Sequence, residues 1–198
     1  TTEIYTLSLH DALPICAAGS NKEIVMKILI AYATRWGSTA KSAALLADEL
    51  KARGHEAAAA DARGYGGILG GRPVDGYDAY VLGSSVAAGQ WKGAAKRLLP
   101  KLARTGKPVA VFVSAGGVIH GREPGSAPDA PATEPLEARV AKAVGLYIDG
   151  PCAKAGLKPA SAAAFGGRMA MFGKEMFDSW DPEPIKAWAA ELDGIFKR

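Results

Sequence analysis

The run Lys27-Ile-Leu-Ile-Ala-Tyr-Ala33 constrains the fold more than any other part of the sequence. Its apolar residues are consecutive rather than alternating, so both faces of a strand built from it must be covered. Helices on the two faces of a parallel sheet meet that requirement. The next segment has the matching form: Ser38 to Arg53 places Ala43, Leu46, Ala47 and Leu50 at helical spacing and is closed by Gly54 as a C-terminal cap. A strand and a helix are therefore expected in direct succession.

The alternation continues along the chain. His55 to Ala60 reads as a weak, alanine-rich strand, and the turn-rich segment Arg63 to Gly76 carries six glycines. Asp78 to Ser84 reads as a third strand, Trp91 to Arg104 as an amphipathic helix, and Val109 to Ser114 as a fourth strand of β-branched and aromatic type. Ala115 to Pro131 is rich in Gly and Pro and is expected to be irregular and mobile, a loop of the length that is usually either functional or disordered. Glu134 to Ala155 returns to helical composition, with Gly145, Gly150 and Pro151 expected to break it near its end. Pro159 to Phe165 is a fifth strand, and Pro182 to Lys197 a final helix with prolines near its first turn. Strands alternating with helices imply right-handed crossovers and a parallel sheet with helices on both faces, a three-layer α/β sandwich, and five strands suit the doubly wound order 2-1-3-4-5. In such sheets ligands bind at the carboxyl ends of the strands, beside the topological switch point.

At 198 residues the chain fits one domain, able to bury roughly 70% of the surface exposed by its unfolded form. Its two cysteines, Cys16 and Cys152, have no ligand-spaced partners and suggest neither zinc nor a disulfide framework. The longest apolar stretches, Tyr80 to Val86 and Val109 to Ala115, fall far short of the roughly 20 residues of a membrane span, so a soluble, cytoplasmic protein is expected. Lys and Arg are scattered without aromatic interleaving, which argues against nucleic acid as a partner. Thr1 to Val25 lacks the marks of a secretory signal, and Glu3 to Ile15 resembles translated sequencing adapter, so residues 1–25 are expected to be a non-native or disordered leader to a domain spanning 26–198. The whole chain is +4 and the leader −2, leaving the domain at +6.

The loop after the first strand, Thr34-Arg35-Trp36-Gly37-Ser38-Thr39, leads directly into a helix, where backbone N–H groups and the helix dipole favour a phosphate. Thr34, Ser38 and Thr39 add hydroxyl donors, Gly37 permits close backbone approach, and Arg35 could offset charge. A plain N-cap by Ser38 is the other reading of the same residues. The loop lacks both the Gly-x-x-x-x-Gly-Lys-Ser/Thr and Gly-x-Gly-x-x-Gly patterns, so a terminal monophosphate suits it better than a triphosphate or pyrophosphate. His120 is the one histidine near this end of the sheet and a candidate proton carrier, with an exposed loop histidine as the plainer alternative. Arg122 and Arg168 could meet an acidic substrate or be surface charges.

Ile30 to Thr39 resembles the flavin mononucleotide (FMN) phosphate loop of flavodoxins, and is most similar to the flavodoxin-domain group containing menaquinone-dependent protoporphyrinogen oxidase. Val81 to Trp91 resembles that group's second flavin loop, Val111 to Ser114 its fourth strand, and Phe177 to Ala190 its closing helix region. The resemblance implies a flavodoxin-like sandwich with FMN as cofactor and an oxidoreductase or electron-transfer role, with quinone- or porphyrinogen-type chemistry and a redox protein among the possible partners. A flavin-free interaction module is a third reading. By this resemblance Thr34 to Thr39 would hold the phosphate, while Ser84, Ser85, Val86, Ala87 and Gly89, with Ser114, Ala115, Gly116 and Gly117, would flank the isoalloxazine ring. Trp36 and Trp91 are stacking candidates, and no metal is implied. Electron-shuttling flavodoxins are typically acidic whereas this domain is basic, which disfavours docking to basic reductases. The segment Gly166 to Trp180, where the oxidase group carries a basic, membrane-associated stretch, is shorter and mixed in charge, so at most peripheral membrane contact is expected.

Overall fold

The computed structural model describes residues 24–65, 71–121, 134–171 and 174–198. In chain order the elements are β1 Lys27–Ala33, α1 Ser38–Ala52, β2 Glu56–Asp61, β3 Ala79–Ala87, β4 Gln90–Trp91, α2 Gly93–Ala103, β5 Val109–Ser114 and α3 Gly116–His120. They continue as α4 Leu136–Val144, a π-helical turn Gly145–Asp149, α5 Gly150–Lys154, β6 Ser161–Phe165, β7 Arg168–Met171, β8 Lys174–Asp178 and α6 Glu183–Phe196. The expected leader up to residue 23 and residues 122–131 of the expected loop, Arg122 included, lie outside the described residues.

The main sheet runs β2-β1-β3-β5-β6, all parallel, which is the expected 2-1-3-4-5 order of core strands. In register, Ile30 lies between Ala59 of β2 and Val81 of β3. The chain leaves β1 toward β2 and returns on the other side of β1 as β3, placing the switch point between the carboxyl ends of β1 and β3. The unbroken apolar character of β1 follows from its position. Leu29, Ala31 and Ala33 pack with Leu98, Leu99 and Leu102 of α2 and with Ile148 and Cys152 of the π turn and α5. Ile28 and Ile30 pack with Leu46 and Leu50 of α1 and with Ile185, Trp188 and Leu192 of α6. Each fully buried aliphatic side chain of this kind contributes about 1.5–3 kcal/mol. On the α1/α6 face, Phe112, Phe165 and Trp188 form an aromatic cluster with ring centroids 5.5–6.0 Å apart. Gly83 sits opposite Phe112 in register, and a Cβ there would lie 2.2 Å from the ring.

Four sequence expectations are corrected. First, β3 does not stop at Ser84 but runs to Ala87, because β4 pairs back on it with Val86 opposite Trp91. The two-residue turn Ala88-Gly89 takes positive φ at both positions (48° and 70°), the form that matches the twist of a tight hairpin. Trp91 therefore belongs to β4 rather than to the start of a helix, and α2 begins at Gly93.

Second, the segment expected to be irregular from Ala115 opens with the short helix α3. Third, Gly145 and Gly150 do not break the helix after Glu134. The chain absorbs Gly145 in the π turn and Gly150 at the start of α5 and stays helical to Lys154, with Pro151 tolerated in the first turn of α5. Fourth, the antiparallel hairpin β7/β8 lies between β6 and α6, so Phe177 is a strand residue and the closing helix starts at Glu183. Its residues alternate poorly in polarity, and a bulge between Met169 and Ala170 shifts its register, which hides the strand period.

Candidate functional site

The loops after β1, β3 and β5 meet at the switch point. In the first, Gly37 has φ of 93°, a conformation that needs glycine, and stands immediately before α1. Thr34 Oγ1 accepts the Gly37 N–H at 3.0 Å, which folds the loop on itself. No side chain caps α1, so the Ser38 N-cap reading is not what the structure shows, and the first amides of the helix have no side-chain acceptor. Arg35 lies over the Trp36 ring at 5.1 Å from its centroid. That contact accounts for the guanidinium while leaving its charge beside the loop.

Four buried side-chain atoms among the described residues have no hydrogen-bond partner, and three are hydroxyls at this end of the sheet: Thr39 Oγ1, Ser85 Oγ and Ser114 Oγ. One stands in the first turn of α1, one near the end of β3 and one at the end of β5. Thr39 is wholly buried. A buried unsatisfied hydroxyl costs about 1–3 kcal/mol, so three in one place are conspicuous, the fourth unpartnered atom being Arg139 Nε. Ser84 behaves differently from its neighbour. Its Oγ accepts the Lys92 N–H and donates to the Ser85 carbonyl, both at 3.1 Å, so it locks the β3–β4 hairpin rather than facing a ligand.

A cleft of about 310 Å³ opens where the loops converge. Of the sequence-predicted residues, Trp36, Ser38, Ser85, Val86, Ala87, Gly89, Ser114, Ala115, Gly116 and Gly117 line it. Thr34, Arg35, Gly37 and Thr39 stand behind it in the helix-start loop. Thr34 also borders a separate cavity of about 290 Å³ with Asp61, Arg63, Lys92 and Arg97. There Arg63 donates to Asp61 and holds its carboxyl below the ordinary carboxylate value. Trp91 does not line this cleft. It is buried, and its Nε1–H donates to the Tyr147 carbonyl at 2.7 Å.

The far wall of the cleft consists of Tyr147 from the π turn and Gly167, Arg168, Met169 and Phe177 from the hairpin, none of them assigned to the flavin site from sequence. The signal that could have found them is the pair Gly166-Gly167. A Cβ on Gly166 would fall 1.7 Å from the Ser179 carbonyl oxygen, and one on Gly167 3.2 Å from Ser38 Oγ. Gly116 is equally confined, its Cβ position lying 2.7 Å from Phe177 and 2.8 Å from the Gly167 oxygen. These glycines allow the base of the hairpin to seat against the other loops. Arg168 pairs with Glu175 at 2.6 Å. The His120 ring stacks on Phe177, 5.5 Å apart and 6° from parallel, but does not line the cleft. It is therefore poorly placed as a proton carrier for a ligand there. No cluster of metal-ligating side chains occurs among the described residues.

Comparison with known proteins bears on the fold. The chain is similar in structure to oxidised Flavodoxin 2 from Bacillus cereus, with 21% identity, 86% of this chain and 97% of that one covered, and a TM-score of 0.51. It is similar to a flavodoxin from the domain Archaea, with 14% identity, coverage of 87% and 100%, and a TM-score of 0.51. It also resembles the rubredoxin oxygen:oxidoreductase of Desulfovibrio gigas, with 15% identity and a TM-score of 0.52, where 86% of this chain spans 36% of the larger protein. No family model matches the chain, and no curated protein matches it in sequence. The fold is a flavodoxin-like α/β sandwich. Among the described residues, no helix is long and apolar enough to cross a membrane.

Proposed function

We propose that the protein binds FMN in this cleft and works as a flavin-dependent oxidoreductase. The observation that carries the reading is the convergence of three buried, unpartnered hydroxyls, Thr39, Ser85 and Ser114, on the switch point of a flavodoxin-like sheet. Thr39 and the uncapped amides of α1 would hold the phosphate, with Arg35 offsetting its charge. Ser85 to Gly89 and Ser114 to Gly117 would border the ring, and Trp36, Tyr147 and Phe177 would give it apolar walls. Bound there, FMN supplies one- and two-electron transfer to the site. The chain's own contribution is to orient the ring, exclude water from one side of it and present backbone donors to its edge.

The decisive test is titration of the flavin-free protein with FMN, followed by quenching of flavin fluorescence. Saturable one-to-one binding is expected, and riboflavin, which lacks the phosphate, should bind much more weakly. A protein that ignores FMN would leave the flavin-free interaction module as the surviving reading.

A second reading, an electron carrier serving a protein partner, is favoured by one specific feature. Residues 79–121 contain six Lys and Arg (Lys92, Lys96, Arg97, Lys101, Arg104 and Lys107) and no Asp or Glu. Three of them, Lys96, Arg97 and Lys101, lie in α2, and Lys92 and Arg104 flank it, so a protein partner docking on that helix would have to be acidic. Steady-state turnover of a quinone with a reduced nicotinamide supports the oxidoreductase. Flavin reduction that occurs only with an acidic redox protein, and slows steeply with salt, supports the carrier.

A further inference from the structure

A second cavity, about 570 Å³, lies between α2 and the helical run from the π turn into α5. It adjoins the first cleft, because Gly89 and Tyr147 line both. The wall between them is fixed. The π turn interrupts the ordinary helical hydrogen-bond ladder, and the Tyr147 carbonyl within it accepts the Trp91 indole N–H at 2.7 Å. That bond ties β4 to the π turn and pins Tyr147 as a partition with one cavity on each side.

The chemistry of the second cavity is specific. Trp91 and Leu99, both buried, form its inner surface, and Pro100 and Pro151 contribute apolar walls. Leu146, on the π turn, is 59% exposed at its edge, an aliphatic side chain left in water where an apolar ligand would cover it. Among the described residues, the only charged ones in the lining are Lys96 and Lys154. Lys96 uses one ammonium hydrogen on Gln90 Oε1 at 2.6 Å and keeps the others. No carboxylate of the described residues lines the cavity, so an acidic group entering it meets two cations and no acidic side chain in the wall.

We infer that this cavity is a binding site for a small amphiphilic anion, an apolar ring or chain carrying one carboxylate, sulfonate or phosphate. The apolar body lies against Trp91, Leu99 and Leu146, and the acidic group is held by Lys96 and Lys154. Tyr147 and Gly89, which line both cavities, stand between the ligand and the cleft assigned to the flavin. The inference depends on the flavin reading only for that adjacency. Occupancy of the cavity requires no cofactor, and the two are measured separately.

The probe is 2-naphthoate, with neutral 2-naphthamide as its uncharged counterpart, titrated calorimetrically into the full chain with and without FMN while the Trp91 indole N–H resonance is followed. Wild-type protein should bind naphthoate with a shift of the Trp91 resonance, whether or not FMN is present. The double variant Lys96→Gln/Lys154→Gln should bind naphthoate about tenfold more weakly and leave naphthamide unchanged. Leu146→Ser, at an exposed position that the fold does not need, should weaken both probes. Ala155→Trp should fill the cavity and abolish both. Absence of naphthoate binding, an unmoved Trp91 resonance, or binding indifferent to all three variants would overturn the site. Equal affinity of wild type for naphthoate and naphthamide would overturn its preference for anions. Acetate titrated alone distinguishes bare charge attraction, and acetate binding as tight as naphthoate would also overturn the apolar half of the site. Failure of FMN to bind in the parallel titration would count against the flavin reading alone.

Discussion

The two ends of the parallel sheet follow opposite rules. At the amino end the polar groups are paired. The Met26 N–H donates to His55 Nδ1 at 3.2 Å, His55 Nε2 meets Asp193 at 2.7 Å, and the Lys27 N–H donates to Asp78 at 2.9 Å. Because Nδ1 accepts from a backbone amide, the hydrogen of neutral His55 sits on Nε2 and points to Asp193. This chain of bonds joins the start of β1 to α6. At the carboxyl end, Thr39, Ser85 and Ser114 are buried with their hydroxyls unmatched. One end is a finished piece of structure, and the other has the character of a site that a ligand completes. Mutations at the carboxyl end should therefore change binding more than stability, and mutations at the amino end the reverse.

The largest effect is expected from Thr39→Val, which removes the hydroxyl and keeps the shape. Hydrogen bonds to charged groups contribute about 1.5–3 kcal/mol, so FMN affinity should fall roughly 10- to 100-fold. The flavin-free protein should melt at the same temperature or slightly higher, since an unsatisfied buried hydroxyl has been removed. Unchanged affinity by fluorescence titration would take the α1 loop out of the phosphate site. A large loss of stability would show that Thr39 is structural and that the two ends are alike.

The reverse test is His55→Leu. It strands the Met26 amide and deprives Asp193 of one partner, and should cost about 1–3 kcal/mol. For a domain of this size that lowers the melting temperature by about 2–4 °C per kcal/mol. FMN affinity, measured below the transition, should be that of wild type. A fall in affinity would mean that the ends communicate through β1.

The same contrast explains what could be read from the sequence. The core strands were legible because burial on both faces leaves an unbroken apolar run, as in Lys27 to Ala33 and Val109 to Ser114. The helix-start loop was legible because its glycine, its hydroxyl residues and the helix behind it are contiguous. What escaped depends on distant pairing. Val86 and Ala87 extend β3 only because Gln90 and Trp91 fold back on them, and the positive φ of Ala88 is not a preference that alanine announces. Gly145 and Gly150 looked like helix breakers, yet packing of Ala143, Ile148 and Cys152 into the core holds the helix through a π turn. Tyr147, Met169 and Phe177 reach the cleft from elements far along the chain, and no local pattern marks an aromatic wall. His55 and Asp193, 138 residues apart, carry no common motif.

Gly37→Ala gives a smaller effect that tests the carboxyl end from the backbone side. A methyl group there meets nothing within 4 Å, so the cost is conformational, about 1–2 kcal/mol for an L residue held at φ of 93°. If ligand contacts keep the loop in place, FMN-bound protein should retain the native loop and the penalty should appear as weaker binding with a modest loss of stability. An unchanged affinity would place the strain outside the site.

The smallest effect concerns acid stability at the amino end. Partial burial alone would raise the Asp193 carboxyl, but hydrogen bonds from Lys197 and His55, each at 2.7 Å, outweigh it and carry the group below its ordinary 3.8. A carboxyl depressed in the folded state binds its proton less readily there than in the unfolded chain. Its contribution is thus complete above the unfolded value and is lost as the pH falls through the folded one, a window lying below about pH 5. With Asp193 a quarter exposed, the pair with Lys197 contributes at most about 1 kcal/mol. Asp193→Asn keeps an acceptor for His55 and removes only the charge. It should lower the melting temperature slightly at pH 7, by about a degree or two, and should flatten the dependence between about pH 5 and 3 relative to wild type. Thermal melts across that range decide the matter. An acid limb as steep in Asp193→Asn as in wild type would mean that the strength of the amino end resides in the His55 to Met26 bond and the packing of α6, with the carboxylate a bystander.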